Sequence, residues 1–351
     1  EQKGLFESTG DGLFTRELVV TGLPLPGYSD LQFGVSRPAT LKKLWQSQRP
    51  DAIYVATQGP LGVAAVSAAR NLGIPVSSGF HTNFHSYSRY YGAGGLERLL
   101  CAYGRWFHNR TAITLVPTRK MQAVKQAMGI HPTGLWSRGV DCHRFTPHKR
   151  DHDLRARWGL TNSDRAVLYV GRLAAEKNLR MAVACFERIR GLHPNARFIL
   201  VGDGPMRKQL AERHPEYIFC GTQRGEDLAR HYASGDLFLF PSKTDTFGNV
   251  VLEAMASGLG VVAFDDAAAA EHLRHEENGL KAELSEDEAF INHALRLADQ
   301  PTLLSRVRAQ ARLDALDLSW NSQIEQFEHL VLNQPAQARY HGINKQGISL
   351  L

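Results

Sequence analysis

The apolar residues of this chain fall into short continuous runs, and stretches of helical spacing separate them. From residue 51 the alternation is regular. Ala52–Ala56 (AIYVA) is a run of strand type; Pro60 then opens a helical stretch, Leu61–Leu72, and Gly73 closes it. Ile74–Ser78 reads as a strand, Gly95–Phe107 as a helix and Ala112–Val116 as a strand, with Thr118 placed to cap a helix that runs to Met128. Before residue 51 the pattern is weaker. Residues 1–15 are polar and Gly-rich, a first strand is expected at Leu18–Thr21, and Gly22–Gly27 (GLPLPG) reads as turns.

The alternation restarts after a polar stretch at 147–165. Strands are expected at Ala166–Val170, Arg197–Val201, Tyr217–Cys220, Leu237–Phe240 and Gly260–Phe264. Helices are expected between them, at Leu179–Arg190, Met206–Arg213, Glu226–Ala233 and Asn249–Ser257. Strands alternating with helices build βαβ units on a parallel sheet. The expected fold class is therefore α/β, with two doubly wound domains: residues 1–147 and 148–317. Helical spacing continues to residue 333, so 318–333 is expected to form a C-terminal helix that returns toward the first domain. Residues 334–351 show no period and are expected to form a flexible tail.

Composition narrows the class without naming a function. The 351 residues are 43% hydrophobic and 22% charged, which excludes a disordered or collagen-like chain. No uncharged apolar run reaches the ~18 residues of a spanning helix. No signal-peptide pattern is present, and the four cysteines (Cys101, Cys142, Cys185, Cys220) are scattered. These features fit a cytoplasmic protein without a cysteine-built metal site. The net charge is +6. An excess of that size serves solubility as well as anionic partners, and without a Lys/Arg block or stripe it argues against nucleic acid.

In open parallel sheets, ligands bind beyond the carboxyl ends of the strands, so strand-to-loop junctions carry the chemistry. Four junctions draw notice. In VGRLAAEKN (170–178), Arg172 and Lys177 follow a strand and precede a helix, a pairing suited to a phosphate or diphosphate. A solvated loop with a capping Asn178 is the bland alternative. In PSKTDTFGNVVLEAMASG (241–258), Asp245 lies in the loop, Gly248 permits close approach of backbone to a ligand, and Glu253 lies one turn into a helix. Carboxylates accept paired hydrogen bonds from diols, so this pair suits sugar and ribose hydroxyls. A helix cap at Asp245 and a solvated face at Glu253 are the alternatives. His81, in GFHTNFH (79–85), ends a strand and can donate to a reacting group, or serve structure alone. The Gly-rich VGDGP (201–205) is a weak signal by itself.

Together, VGRLAAEKN (170–178), ILVGDGPMRKQL (199–210), FLFPSKTDTFGNVVLEAMASG (238–258), SWNSQIEQF (319–327) and SRGVDCHRFTP (137–147) resemble the retaining nucleotide-sugar transferases of glycosyltransferase family 4. GFHTNFHSYSRYYG (79–92) is similar to the branch of GDP-mannose-dependent α-mannosyltransferases; related branches make sulfolipid and other glycolipids. The resemblance implies a GT-B architecture, two Rossmann-like domains facing a cleft. It implies a donor site in which Arg172 and Lys177 hold the diphosphate and Asp245 contacts the transferred sugar. Phe247, Gly248 and Asn249 supply backbone amides, Glu253 binds the ribose, and His81 faces the sugar near its anomeric centre. The implied reaction is transfer of a hexose, best read as mannose from GDP-mannose, to a lipid or glycan. No cofactor or metal is implied, because two fixed cations take the place of a divalent ion.

Two departures stand out. Asp245 replaces the Glu that opens the family's E-x7-E pattern, withdrawing the carboxylate by ~1.5 Å. A displacement of that size can cost ~100-fold in rate unless the loop compensates. The family's opening strand, Gly loop and helix are also not seen before Leu18, so one to two βα units are expected to be missing from the first domain. Other readings are a non-catalytic nucleotide-sugar binding remnant, a UDP-sugar-using glycolipid synthase, and an epimerase or phosphorylase of the same fold. Finally, LERLLCAYGRWFHNR (96–110) mixes aromatic and aliphatic residues with Arg98, Arg105 and Arg110. Peripheral contact with the inner face of an anionic membrane is one reading of it, and an ordinary core-facing helix is the other.

Overall fold

The computed structural model describes residues 6–10, 13–17, 19–25, 28–80, 97–161, 163–245 and 247–334. The chain divides into two compact units. One comprises Glu1–Val116, Met121–Leu135 and Phe327–Leu351; the other comprises Pro117–Lys120 and Trp136–Gln326.

The described part of the first unit opens with two antiparallel hairpins. Strand β1 (Phe6–Gly10) pairs with β2 (Leu13–Glu17), and β3 (Thr21–Leu25) pairs with β4 (Tyr28–Val35). Over the described residues this corrects the expected turns at 22–27 and strand at Leu18–Thr21: the strand runs from Thr21 to Leu25, and Leu18, Pro26 and Gly27 lie outside the described residues. A helix α1 (Pro38–Ser47) follows, with Pro at its first turn where the N–H would be unbonded anyway. The regular part is a four-stranded parallel sheet in the order β5 (Ile53–Val55), β6 (Val76–Gly79), β7 (Thr114–Val116), β8 (Thr133–Leu135). Between β5 and β6 runs α2 (Pro60–Leu72), closed by Gly73 in the left-handed conformation at φ +63°. Its buried face (Ala64, Ala65, Ala68, Ala69) meets Val55, Ile74, Val76 and Phe107. Small alanines there let the helix lie close to the sheet. Helix α3 (Glu97–His108) precedes β7, and α4 (Arg119–Ala127) precedes β8.

The second unit holds one six-stranded, all-parallel sheet. Its strands are β9 (Ala166–Val170), β10 (Arg197–Val201), β11 (Ile218–Gly221), β12 (Leu237–Phe240), β13 (Gly260–Phe264) and β14 (Leu280–Ala282). They lie in the order β11-β10-β9-β12-β13-β14. Counted within the unit this is 3-2-1-4-5-6, the doubly wound Rossmann order. Strand β9 shows why its sequence is apolar throughout. Ala166, Leu168 and Val170 enter one core with Phe238, Val251 and Leu252. Val167 and Tyr169 enter the other, with Phe186, Phe198 and Phe290. A strand covered on both faces needs an unbroken apolar run, since successive side chains point to opposite sides. Each such Val or Leu contributes roughly 1.5–3 kcal/mol on full burial. The helices of this unit include α5 (His152–Arg157), α6 (Leu179–Leu192), α7 (Arg207–Arg213), α8 (Gly225–Ser234) and α9 (Asn249–Ala256).

In this order, β9 and β12 are neighbours whose chains leave toward opposite edges of the sheet. The loops after them, 171–178 and 241–248, therefore emerge side by side. Among the described residues, no helix is long and apolar enough to cross a membrane.

Candidate active site

The loop after β9 is held open by backbone. Gly171 donates its N–H to the carbonyl of Val201 at 2.9 Å, and Leu173 donates to the carbonyl of Asp203 at 2.8 Å. Gly202, at φ +138°, lies so close that a Cβ there would sit 2.0 Å from the Gly171 oxygen. The Gly-rich turn at 201–205 thus lets the β10 loop pass under the β9 loop. Tyr169, buried at the end of β9, donates its hydroxyl to the Arg172 carbonyl at 3.0 Å. Burial raises the Tyr169 pKa, and the negative charges of Asp245 and Glu176 push it further the same way, so the phenol remains a donor.

Lys177 ends a short 3-10 turn (Ala175–Lys177), and Asn178 takes the left-handed conformation at φ +56°. Asn178 caps no helix with its side chain; its amide donates to the Pro241 carbonyl at 3.1 Å and ties the two loops together. Thr244 adds a second tie, its hydroxyl donating to the Glu176 carbonyl at 3.1 Å.

These ties bring Lys177 and Asp245 into contact. Lys177 Nζ donates to Asp245 Oδ1 at 2.6 Å, with 24% and 18% of the two side chains exposed. An ammonium has three protons to donate, so donors remain for a further anionic partner. The other oxygen, Asp245 Oδ2, is buried without a hydrogen-bond partner among the described residues, as is the Ser242 hydroxyl at the start of the same loop. Arg172 stands at the rim with 66% of its side chain exposed, 3.6 Å from Glu176. A surface pair of that kind is worth about 0–1 kcal/mol, so turning Arg172 toward a bound anion costs little.

Helix α9 begins beside these groups. Its N-cap is Gly248, at φ +87°, and no side chain among the described residues caps it; Asp245 is engaged with Lys177 instead. Gly is required at 248 twice over, by the positive φ and because a Cβ would lie 2.7 Å from the Phe240 ring. The backbone N–H groups of the first turn and the positive end of the helix dipole favour an anion there. Phe247 is a core anchor. Its ring is buried, meets the His272 ring edge-on at 5.9 Å, and its carbonyl accepts from Ala268 N at 2.7 Å. Burial depresses the His272 pKa to about 4. Asn249 is half-buried in the first turn.

Glu253 does not lie on a solvated face. Its Oε2 accepts a hydrogen bond at 2.9 Å from the hydroxyl of Tyr232, a wholly buried residue of α8. Burial raises the Glu253 pKa, and the Tyr232 hydrogen bond acts in the opposite direction. Of the residues picked out from sequence, Lys177 and Asp245 are in direct contact. Arg172, Phe247, Gly248, Asn249 and Glu253 belong to the same two loops and the helix they feed. His81 and Thr246 lie outside the described residues. Tyr169, Thr244 and Tyr232 were not singled out. Each makes one hydrogen bond that sequence pattern cannot show.

Glu187, His214 and Glu216 are near enough together to hold a cation. Their carboxylates are already engaged by Arg190, which bonds Glu216 Oε1 at 2.8 Å and Glu187 Oε2 at 2.5 Å.

Two family models match this chain. One, described as Glycosyl transferases group 1, covers residues 164–300; the other, described as Glycosyltransferase Family 4, covers residues 5–144. A GDP-mannose-dependent alpha-mannosyltransferase of Mycobacterium tuberculosis is 33% identical over 297 residues, spanning 84% of this chain and 76% of its own length. The chain belongs to glycosyltransferase family 4. This membership makes it a hexosyltransferase with a nucleotide-sugar donor. The sulfoquinovosyl transferase SQD2 of Arabidopsis thaliana is 31% identical over 246 residues, 68% of this chain but only 48% of that protein. In architecture the chain is similar to Anabaena Alr3699/HepE, solved in complex with UDP. The TM-score is 0.70 at 19% identity, covering 84% of this chain and 81% of the other. This likeness establishes the GT-B fold.

Proposed function

We propose that this family 4 transferase moves mannose from GDP-mannose onto a lipid or glycan acceptor, with retention at the anomeric carbon. The likeness to a GDP-mannose-dependent enzyme supports the donor. The observation that carries the site is the meeting of Lys177 and Asp245 where the strand order reverses, beside the start of α9. Loss of a nucleoside diphosphate builds negative charge on the leaving phosphate and positive charge on the anomeric carbon. Lys177, held by Asp245, meets the first before the bond breaks, and Arg172 turns in from the rim to join it. The Gly248–Asn249 amides at the head of α9 add donors to the same phosphates. Asp245 Oδ2, buried and unbonded among the described residues, is suited to a hydroxyl of the transferred sugar. Glu253 takes the ribose diol. His81 is assigned the face of the sugar near its anomeric centre on the strength of its motif. Electrostatic stabilisation by these side chains accounts for departure of the diphosphate without a metal. The acceptor then attacks from the same face, through an oxocarbenium-like state.

The test is calorimetric titration with GDP, UDP and GDP-mannose. Micromolar binding of GDP and GDP-mannose, weaker binding of UDP, and a clear loss of affinity in Arg172→Ala are expected. Preference for UDP would overturn the donor assignment.

Transfer from a UDP-type donor in glycolipid synthesis is the second reading; it rests on the motif resemblance to glycolipid-making branches of the family, and the likeness to a sulfoquinovosyl transferase accords with a sugar other than mannose. A lipid acceptor accords with helix α3, which exposes Leu99, Tyr103 and Trp106 at 69%, 37% and 41%. Their i, i+4, i+7 spacing places them on one face, and Arg98 and Arg105 are exposed on the same helix. Flotation with phosphatidylglycerol-containing vesicles at low salt should carry the protein upward. A protein that stays at the bottom refutes membrane contact.

A further inference from the structure

We propose that Tyr232 is a positioning residue for the donor's ribose: its buried hydroxyl fixes the Glu253 carboxylate so that the other oxygen is presented to the 2′,3′-diol. This rests on the reading of Glu253 as the ribose ligand and deepens it.

The geometry is one-sided. Tyr232 has no exposure, and Phe145 and Phe238 confine its ring at centroid distances of 5.6 and 5.9 Å. Its hydroxyl is therefore delivered to one point, Glu253 Oε2, at 2.9 Å. A buried hydroxyl needs a partner, and among the described residues this carboxylate is the one it has. Glu253 in turn is mostly buried among apolar neighbours of α9, Leu252 and Ala254 to either side. A carboxylate with two rotatable bonds beyond its Cβ and no fixed partner samples several rotamers; a donor locked by packed aromatic rings selects one. Oε2 is then committed to the protein. Oε1 carries no side-chain hydrogen bond among the described residues and is the atom left for a ligand. Two adjacent hydroxyls of a ribose can both donate to it, or one to it and one past it to Oε2. Tyr232 stays protonated throughout, because burial and the Glu253 charge both oppose its ionisation.

The experiment compares GDP with 2′,3′-dideoxy-GDP, UDP forms alongside, by calorimetry on the wild type and Tyr232→Phe. The phenylalanine keeps the ring and its packing, and an unchanged unfolding profile of the cooperative unit checks that it folds. The wild type should prefer GDP to the dideoxy form. Y232F should bind GDP about tenfold more weakly, the value of one hydrogen bond to a charged group. It should bind dideoxy-GDP within twofold of wild type, because no diol remains for Glu253 to hold. KM for the sugar donor should rise with little change in kcat. Equal losses for both nucleotides, or none for either, would overturn the proposal and leave Tyr232 a packing residue. A wild type indifferent to the diol would instead overturn the ribose role of Glu253. Phe145→Leu supplies an independent check. It loosens the Tyr232 ring without removing the hydroxyl, and should show the same diol-selective loss at smaller size; a loss blind to the diol counts against the proposal.

Discussion

The Lys177–Asp245 pair separates stability from catalysis in a way that four proteins can read: the wild type, Lys177→Ala, Asp245→Asn and the double variant. The contact is short, 2.6 Å, and about four-fifths of each side chain is withdrawn from water. A charge-assisted hydrogen bond in such a place contributes about 1–2 kcal/mol after the desolvation of both ions is counted. Lys177→Ala should lose at least that much. It leaves a largely buried carboxylate whose second oxygen already lacks a partner among the described residues. Asp245→Asn alone leaves the ammonium with a weaker, neutral acceptor and should cost less. In the double variant no charge is stranded, so stability should recover by about 1 kcal/mol relative to Lys177→Ala. Turnover should not recover. Removing one preorganised charge contact to a developing anion costs ~3–4 kcal/mol of transition-state stabilisation, roughly 10²- to 10³-fold. The assays are denaturant midpoints for the four proteins and release of nucleoside diphosphate from GDP-mannose. If Lys177→Ala turns over within threefold of wild type, the ammonium does not face the leaving diphosphate. If the double variant is no more stable than Lys177→Ala, the two charges are not coupled as the geometry requires.

Three further outcomes are expected. Gly248→Ala should destabilise by about 1–3 kcal/mol, since a side chain must adopt φ +87° and displace the Phe240 ring; an unchanged denaturant midpoint refutes it. Acid should weaken the fold through His108 and His272, whose burial depresses both pKa values from the ordinary 6.5 to about 4. Both are held neutral in the folded state and bind protons more readily once unfolded, so their contribution is complete above pH 6.5 and is lost as pH falls toward 4. At pH 5 the loss is about 2 kcal/mol for each, and urea midpoints equal at pH 7 and pH 5 would contradict it. Asp245→Glu restores the family's longer arm beside Lys177. It should change kcat by more than threefold in either direction while leaving nucleotide affinity unaltered, and identical kcat would show that the shorter arm is immaterial.

What could be read in the sequence, and what could not, follows from how far each feature reaches along the chain. Ala166–Val170, Arg197–Val201, Leu237–Phe240 and Gly260–Phe264 were placed to the residue, because a strand buried on both faces announces itself as a short apolar run with polar ends. Strand β14 is three residues long and shows no period; helix α1 has one fully buried side chain, Leu41, and so little apolar face to reveal it. The opening hairpins are made by pairing across turns, not by local pattern: residues 1–15 are polar and Gly-rich, and the glycines and prolines of 22–27 read as turns. The site divides in the same way. Arg172, Lys177, Asp245 and Glu253 were visible because each stands at a strand's carboxyl end or one turn into the helix beyond it. That Lys177 meets Asp245 was not visible. The two are 68 positions apart, and only the placing of β9 beside β12 brings them together. Tyr232 is the sharper case. In ARHYASGD (229–236) it has the look of any buried aromatic on an amphipathic helix, and its one polar atom finds its partner 21 residues later in another helix. A tyrosine with its hydroxyl bonded and a phenylalanine that fills the same space leave the same hydrophobic pattern. The difference lies in a single O–H, so the function of such a residue becomes apparent only when the fold shows which carboxylate that proton reaches.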